Sequence, residues 1–221
     1  MANPRDAEFL QRFFKTGPGE YGEGDRFLGI RVPAVRKLLR EYCNADVSDA
    51  AALLTSPWHE ERLFALFLLR REYERSDETT KRKIYALYLR NARFINNWDL
   101  VDASAPYIVG AHLHERSRAS LYRLLRSRSL WKRRIAVLAT FYFIARGEAR
   151  EALAIAAALL GDREDLLHKA TGWMLREVGK HCGVKTLHAF LDRHASAMPR
   201  TMLRYAIERL PATTRKLYMK R

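Results

Sequence analysis

An all-α fold follows from three features of this 221-residue sequence. Apolar residues recur at helical spacing along most of it, alternating β patterns are absent, and the gaps between periodic stretches carry capping residues and prolines. Hydrophobic residues make up 48% of the chain, so at this length it can bury a sizeable core.

Residues 5–15 read as a short helix. The following stretch, KTGPGEYGEGDRFLGIRVP, holds five glycines and two prolines and reads as a loop. Its Gly17, Gly19 and Gly22 satisfy GxGxxG, but a dinucleotide fingerprint must follow a strand and open a helix. This one follows AEFLQRFFK, so no nucleotide site is assigned. Pro33 suits the first helical position of VPAVRKLLREY, Ser56 and Pro57 cap and open WHEERLFALFLLRREY, and Asp77 starts ETTKRKIYALYLRN. Further helices are expected at about 97–110, 117–127, 130–146, 149–160, 164–180, 184–195 and 200–209.

Some twelve helices joined by short polar turns, with no long linker, predict helix pairs stacked side by side, an α-solenoid. No strict period survives, so the repeats are of the degenerate HEAT type, about 40 residues per pair and about six in all, within one domain over residues 1–221. An irregular orthogonal bundle is the alternative. Stacked pairs curve, and the expected concave face of so basic a chain is a groove for a duplex.

Lys and Arg number 40 against 25 Asp and Glu, a formal net charge of +15. That excess calls for a polyanionic partner, with nucleic acid first and an anionic membrane surface second. The apolar runs Leu63–Leu69 and Ile135–Ala145 fall short of the roughly 20 residues a membrane span needs. The opening MANPRDAEFLQRFF lacks a basic segment followed by an apolar stretch, so no secretion signal is read. Cys43 and Cys182 are far apart and lack CxxC or Cys/His ligand spacing, which suits a reducing cytosol and argues against structural zinc. A cytoplasmic monomer with no metal, no cofactor and no membrane is expected.

The stretch INNWDLVDASAP places Trp98 and Asp102 one turn apart on one helical face. Asn96 or Asn97 can cap this helix, Asp99 sits in the first turn where the dipole favours an acid, and Pro106 should end or kink it. Asp99 thus has an ordinary structural role, whereas Asp102 has none beyond a surface ion pair. In EDLLHKATGWMLREVGK the core stripe is Leu167, Ala170, Met174 and Val178, leaving Lys169, Trp173, Arg176 and Lys180 on the opposite face. Aromatic rings among Arg and Lys are what nucleic-acid surfaces use, though packing against a neighbouring repeat would also place a tryptophan there. In LWKRRIAVLATFYFIAR, Lys132 and Arg133 can snorkel to solvent. Arg134 shares its side with Leu138 and Phe141 and needs an acid, such as Asp102, or a phosphate. Trp58 and Trp131 read as inter-repeat packing, and no histidine forms a defensible ligand or nucleophile pair.

With these residues in view, the chain resembles the AlkD-like family of bacterial DNA alkylation repair glycosylases. The likeness is carried by FFKTGPGEYGEGDRFLGIRVP, INNWDLVD, LWKRRIAVLATFYFIARGE, LLHKATGWMLREVGK and MPRTMLRYAIERLP, in that order over nearly the whole chain. The resemblance implies a catalytic group of Trp98, Asp102, Arg134 and Trp173, with Arg176 at a phosphate-contacting position; Lys169 and Lys180 join it as DNA-binding residues on the Trp173 face. It also implies excision of N3-methyladenine and N7-methylguanine types of lesion from double-stranded DNA without base flipping and without metal or cofactor. A noncatalytic HEAT-like module that binds nucleic acid or a protein partner is the competing reading.

Overall fold

The computed structural model describes residues 2–42 and 44–221; the reading of Cys43 lies outside the described residues. Helices fill the chain and no strand occurs among the described residues, so the all-α expectation holds. The chain divides into two compact units, one ending at Ser104 and the other beginning at Ala105.

The first unit contains α1 (Pro4–Phe13), α2 (Val32–Glu41), α3 (Val47–Leu53), α4 (His59–Arg75), α5 (Glu78–Arg90) and the start of α6 (Trp98–Ala105). Its centre is α4, which buries Leu63, Leu66, Phe67, Leu68 and Leu69 all around its circumference and packs against α2, α3 and α5. A helix apolar on every side belongs in the middle of a stack. The sequence reading passed over α3, although Asp46 and Asp49 form a capping box whose carboxylates accept each other's backbone N–H groups. It also placed the start of α4 too early. Trp58 is the N-cap, while Ser56 Oγ accepts from the Trp58 N–H and donates to Glu61.

The glycine-rich loop between α1 and α2 is fixed by α4. Glu60 is buried, and its carboxylate accepts the N–H groups of Leu28, Gly29 and Ile30 at 2.9, 2.9 and 3.0 Å. An isolated parallel bridge joins Arg26 to Trp58, with the His59 N–H donating to the Arg26 carbonyl at 2.8 Å. Gly29 is obligatory here, because its φ is +81° and a Cβ would stand 2.0 Å from the Asn3 carbonyl oxygen. The loop is therefore a strap held to the first turn of α4.

The second unit contains the π-helical turn Pro106–Gly110 and the helices α7 (Ala111–Leu113), α8 (Ala119–Leu125), α9 (Leu130–Ala139), α10 (Phe141–Ile144), α11 (Arg150–Ala158) and α12 (Asp165–His181), followed by α13 (Val184–His194), α14 (Arg200–Ile207) and α15 (Ala212–Met219). Pro106 ends α6 as expected. The helix read over 130–146 is broken at Thr140, whose hydroxyl donates to the Val137 carbonyl at 2.6 Å and competes with the backbone ladder. The α15 helix, absent from the sequence reading, follows directly on Pro211. The unit is built around α12, which packs against α9, α11, α13 and α14. At Gly172 a Cβ would meet the Met202 carbonyl oxygen at 2.4 Å, so α12 and α14 touch backbone to backbone.

Among the described residues no helix is long and apolar enough to cross a membrane.

Candidate active site

In the first unit, Asn97 sits at the head of α6, its carbonyl accepting from the Val101 N–H at 3.3 Å and its side chain from the Trp98 N–H at 2.9 Å. Trp98 and Asp102 follow on one face and are both half-buried. The Trp98 ring stacks on Phe14 at 5.1 Å and meets the edge of Phe13 at 5.9 Å. Phe14 in turn stacks on Phe27 at 5.0 Å, so three aromatic residues, from α1 and the loop, back the tryptophan. That backing fixes the ring plane without enclosing it.

Beneath the stack lies a cluster of charges that sequence reasoning missed. His59 is buried, with Nδ1 2.8 Å from Asp25 and Nε2 2.8 Å from Asp99. Both partners are carboxylates, which only accept, so both ring nitrogens donate and the ring is an imidazolium. Burial opposes that charge, but the Asp99 and Asp25 carboxylates outweigh it and push the His59 pKa up to about 9. Arg62 completes the cluster, its Nη2 donating to Asp25 at 2.5 Å and to Asn96 Oδ1 at 3.2 Å. Burial would raise the Asp25 pKa, yet the His59 hydrogen bond and the His59 and Arg62 charges hold it below the usual carboxylate range. Two cations and two anions make the cluster formally neutral. Asp99 is therefore not merely an acid placed for the helix dipole, as the sequence reading had it; it also anchors α6 to α4. No cluster of three or more metal-ligating side chains occurs among the described residues.

In the second unit, α12 buries Leu167, Ala170, Met174 and Val178, the expected stripe. Trp173 is half-buried near Phe141 at 6.5 Å, and its indole N–H donates to Glu177 at 3.2 Å. Glu177 is the buried centre of the face read as basic. Arg176, Lys180 and His181 gather around its carboxylate at 3.5, 3.8 and 3.5 Å, and Arg176 also pairs with Glu208. Lys169 pairs with Asp165 at 2.7 Å. Arg134 is buried on α9 and donates to the Leu166 carbonyl at 2.6 Å. Arg133 does not snorkel to solvent. It lies 2.9 Å from Asp162 and donates to the Ser127 and Arg128 carbonyls, which caps the turn before α9.

A model of the DNA alkylation repair enzyme family matches residues 1–210. The chain belongs to that family. A solved structure described as a predicted DNA alkylation repair enzyme from Enterococcus faecalis is 18% identical, with a TM-score of 0.73 over 96% of this chain and 98% of that one, and so shares the fold. A search of curated proteins finds no significant match.

In this member of the DNA alkylation repair enzyme family, Trp98 and Asp102 set an aromatic ring and a carboxylate one turn apart on α6. The His59 cluster was not legible beforehand, because its members lie 34 and 40 residues from His59 in sequence. One signal was present: His59 and Arg62 stand three residues apart just before the apolar run Leu63–Leu69 of the same helix.

Proposed function

We propose that this chain, acting as one repair domain over residues 1–221, is a monofunctional DNA N-glycosylase that excises cationic alkylated purines from duplex DNA. The observation that carries the reading is the half-buried Trp98–Asp102 pair on α6, in a chain of the alkylation repair family with a net charge of +15. An ordinary glycosidase needs an acid for its leaving group and a second carboxylate. An N3- or N7-alkylated purine already carries its positive charge and departs as a neutral base, so only the developing sugar cation needs stabilisation. One carboxylate is enough. At about 4 Å and an effective dielectric near 20, Asp102 facing an oxocarbenium contributes on the order of 4 kcal/mol before desolvation, roughly a thousandfold in rate. It also orients the attacking water. Trp98 holds the cationic lesion and its deoxyribose against its ring, an attraction neutral bases lack. Neither step calls for a metal or cofactor.

The test is release of free 7-methylguanine from methylated duplex DNA by the purified protein. Salt-sensitive duplex binding with no base release would favour the noncatalytic module instead.

The DNA-binding roles of Lys169, Arg176 and Lys180 are part of the same proposal, and the ion pairs rank them. The Lys180 side chain is 49% exposed, so Lys180→Ala is expected to weaken binding to all duplexes alike and reduce the salt slope by about one. Arg176 is already neutralised by Glu177 and Glu208 and must leave Glu208 to reach a phosphate. Arg176→Ala is therefore expected to change the slope by less than Lys180→Ala. Equal slopes for Lys180→Ala and wild type would remove Lys180 from the interface.

A further inference from the structure

The helix α4 presents His59 and Arg62, three residues apart on one face, to the turn that opens α6. Arg62 grips Asn96 at 3.2 Å and His59 grips Asp99 at 2.8 Å, so both flanks of Trp98 are held from the same helix. Asp25, on the glycine-rich strap, closes the arrangement by accepting from His59 and from Arg62. Phe14 and Phe27 cover the His59 ring at 5.0 and 4.4 Å, and Phe14 is also the ring on which Trp98 stacks. Apolar side chains of similar volume would hold these elements together at least as well as buried charges do. Hydrogen-bonded charges fix direction as well as proximity, and here they do so within a turn of Trp98 and Asp102.

We propose that His59 is a positioning residue of the excision site, an imidazolium that holds the first turn of α6 and thereby sets the Trp98 ring and the Asp102 carboxylate. This inference rests on the glycosylase reading for its kinetic consequence, though not for its structural one. The groups facing His59 are Asp25 and Phe27 from the strap, Asp99 from α6 and Phe14 from the C-cap of α1. On α4 itself, Arg62 shares Asp25 with it. Loss of the His59 proton breaks one of its two carboxylate bonds and leaves the cluster with a net negative charge. Positioning of α6 is then lost as pH rises through about 9.

The full chain, its His59→Gln, Asp99→Asn and Asp102→Asn variants, and two measurements test this. The carbon-bound ring resonances of Trp98, followed by NMR in the free protein, are expected to titrate with a midpoint near 9. In Asp99→Asn, where the imidazolium has lost one of its two carboxylates, the midpoint is expected at lower pH. In single turnover on duplex bearing 7-methylguanine, at saturating protein, His59→Gln is expected to release base on the order of 10- to 100-fold more slowly, with its DNA dissociation constant unchanged. A merely structural histidine would lower the rate only in proportion to the folded fraction, which circular dichroism follows in the same samples. Trp98 resonances that ignore the titration, or wild-type release by His59→Gln beside an inactive Asp102→Asn, would overturn the positioning role. Wild-type release by Asp102→Asn, or none by the wild-type chain, would instead overturn the glycosylase reading and leave the Trp98 titration to decide the role of His59.

Discussion

Asp102→Asn is expected to abolish base excision while leaving the fold and the duplex affinity close to wild type. Asparagine fills the space of the carboxylate, and the half-buried position tolerates an amide that solvent and neighbours can satisfy. What disappears is the charge set against the sugar cation. Removing one preorganised stabilising group costs on the order of a hundredfold or more in the chemical step. The experiment is single-turnover base release with binding measured on the same duplex, since a loss confined to the chemical step separates transition-state stabilisation from uniform binding. Excision at the wild-type rate by Asp102→Asn would leave the noncatalytic reading ahead. The neighbouring Asp99→Asn is no silent control, because Asp99 is the acceptor for the buried His59 imidazolium.

Asp25→Ala is expected to destabilise the protein by about 3 to 5 kcal/mol, the cost of stripping a partner from a buried ion cluster. The Asp25 side chain is fully enclosed, and those of His59 and Arg62 are 2% and 5% exposed, so water does not replace the lost carboxylate. Urea denaturation of variant and wild type checks this, and a difference below about 1 kcal/mol would mean that the two cations find other partners. The same cluster sets the pH dependence of the wild-type chain. Asp25 is depressed in the folded state, so its contribution is present above the unfolded value near 3.8 and is lost as pH falls below it. His59 is raised, so its contribution is full below the unfolded value near 6.5 and is lost as pH climbs through about 9. This cluster therefore contributes most between about pH 4 and 6.5, and its contribution declines on the alkaline side as His59 loses its proton.

The sequence by itself determined the helical class, the basic character and the one-turn spacing of Trp98 and Asp102, because helical periodicity and net charge are local or additive properties. It also carried the resemblance to alkylation repair proteins, which the family match over residues 1–210 bears out. Smaller features escaped although they too were local: the capping box that opens α3, and the hydroxyl of Thr140 that breaks the helix read over 130–146. Only the tertiary structure decided which charges meet. His59 joins carboxylates 34 and 40 residues away, Glu60 reaches three amides of the glycine-rich strap, and Glu177 turns a face read as basic into a mixed ion cluster. Periodicity shows which face of a helix is polar. The partner of each buried polar group is set by how the helices pack, since such a group must be satisfied wherever the fold has brought a complement within hydrogen-bonding distance.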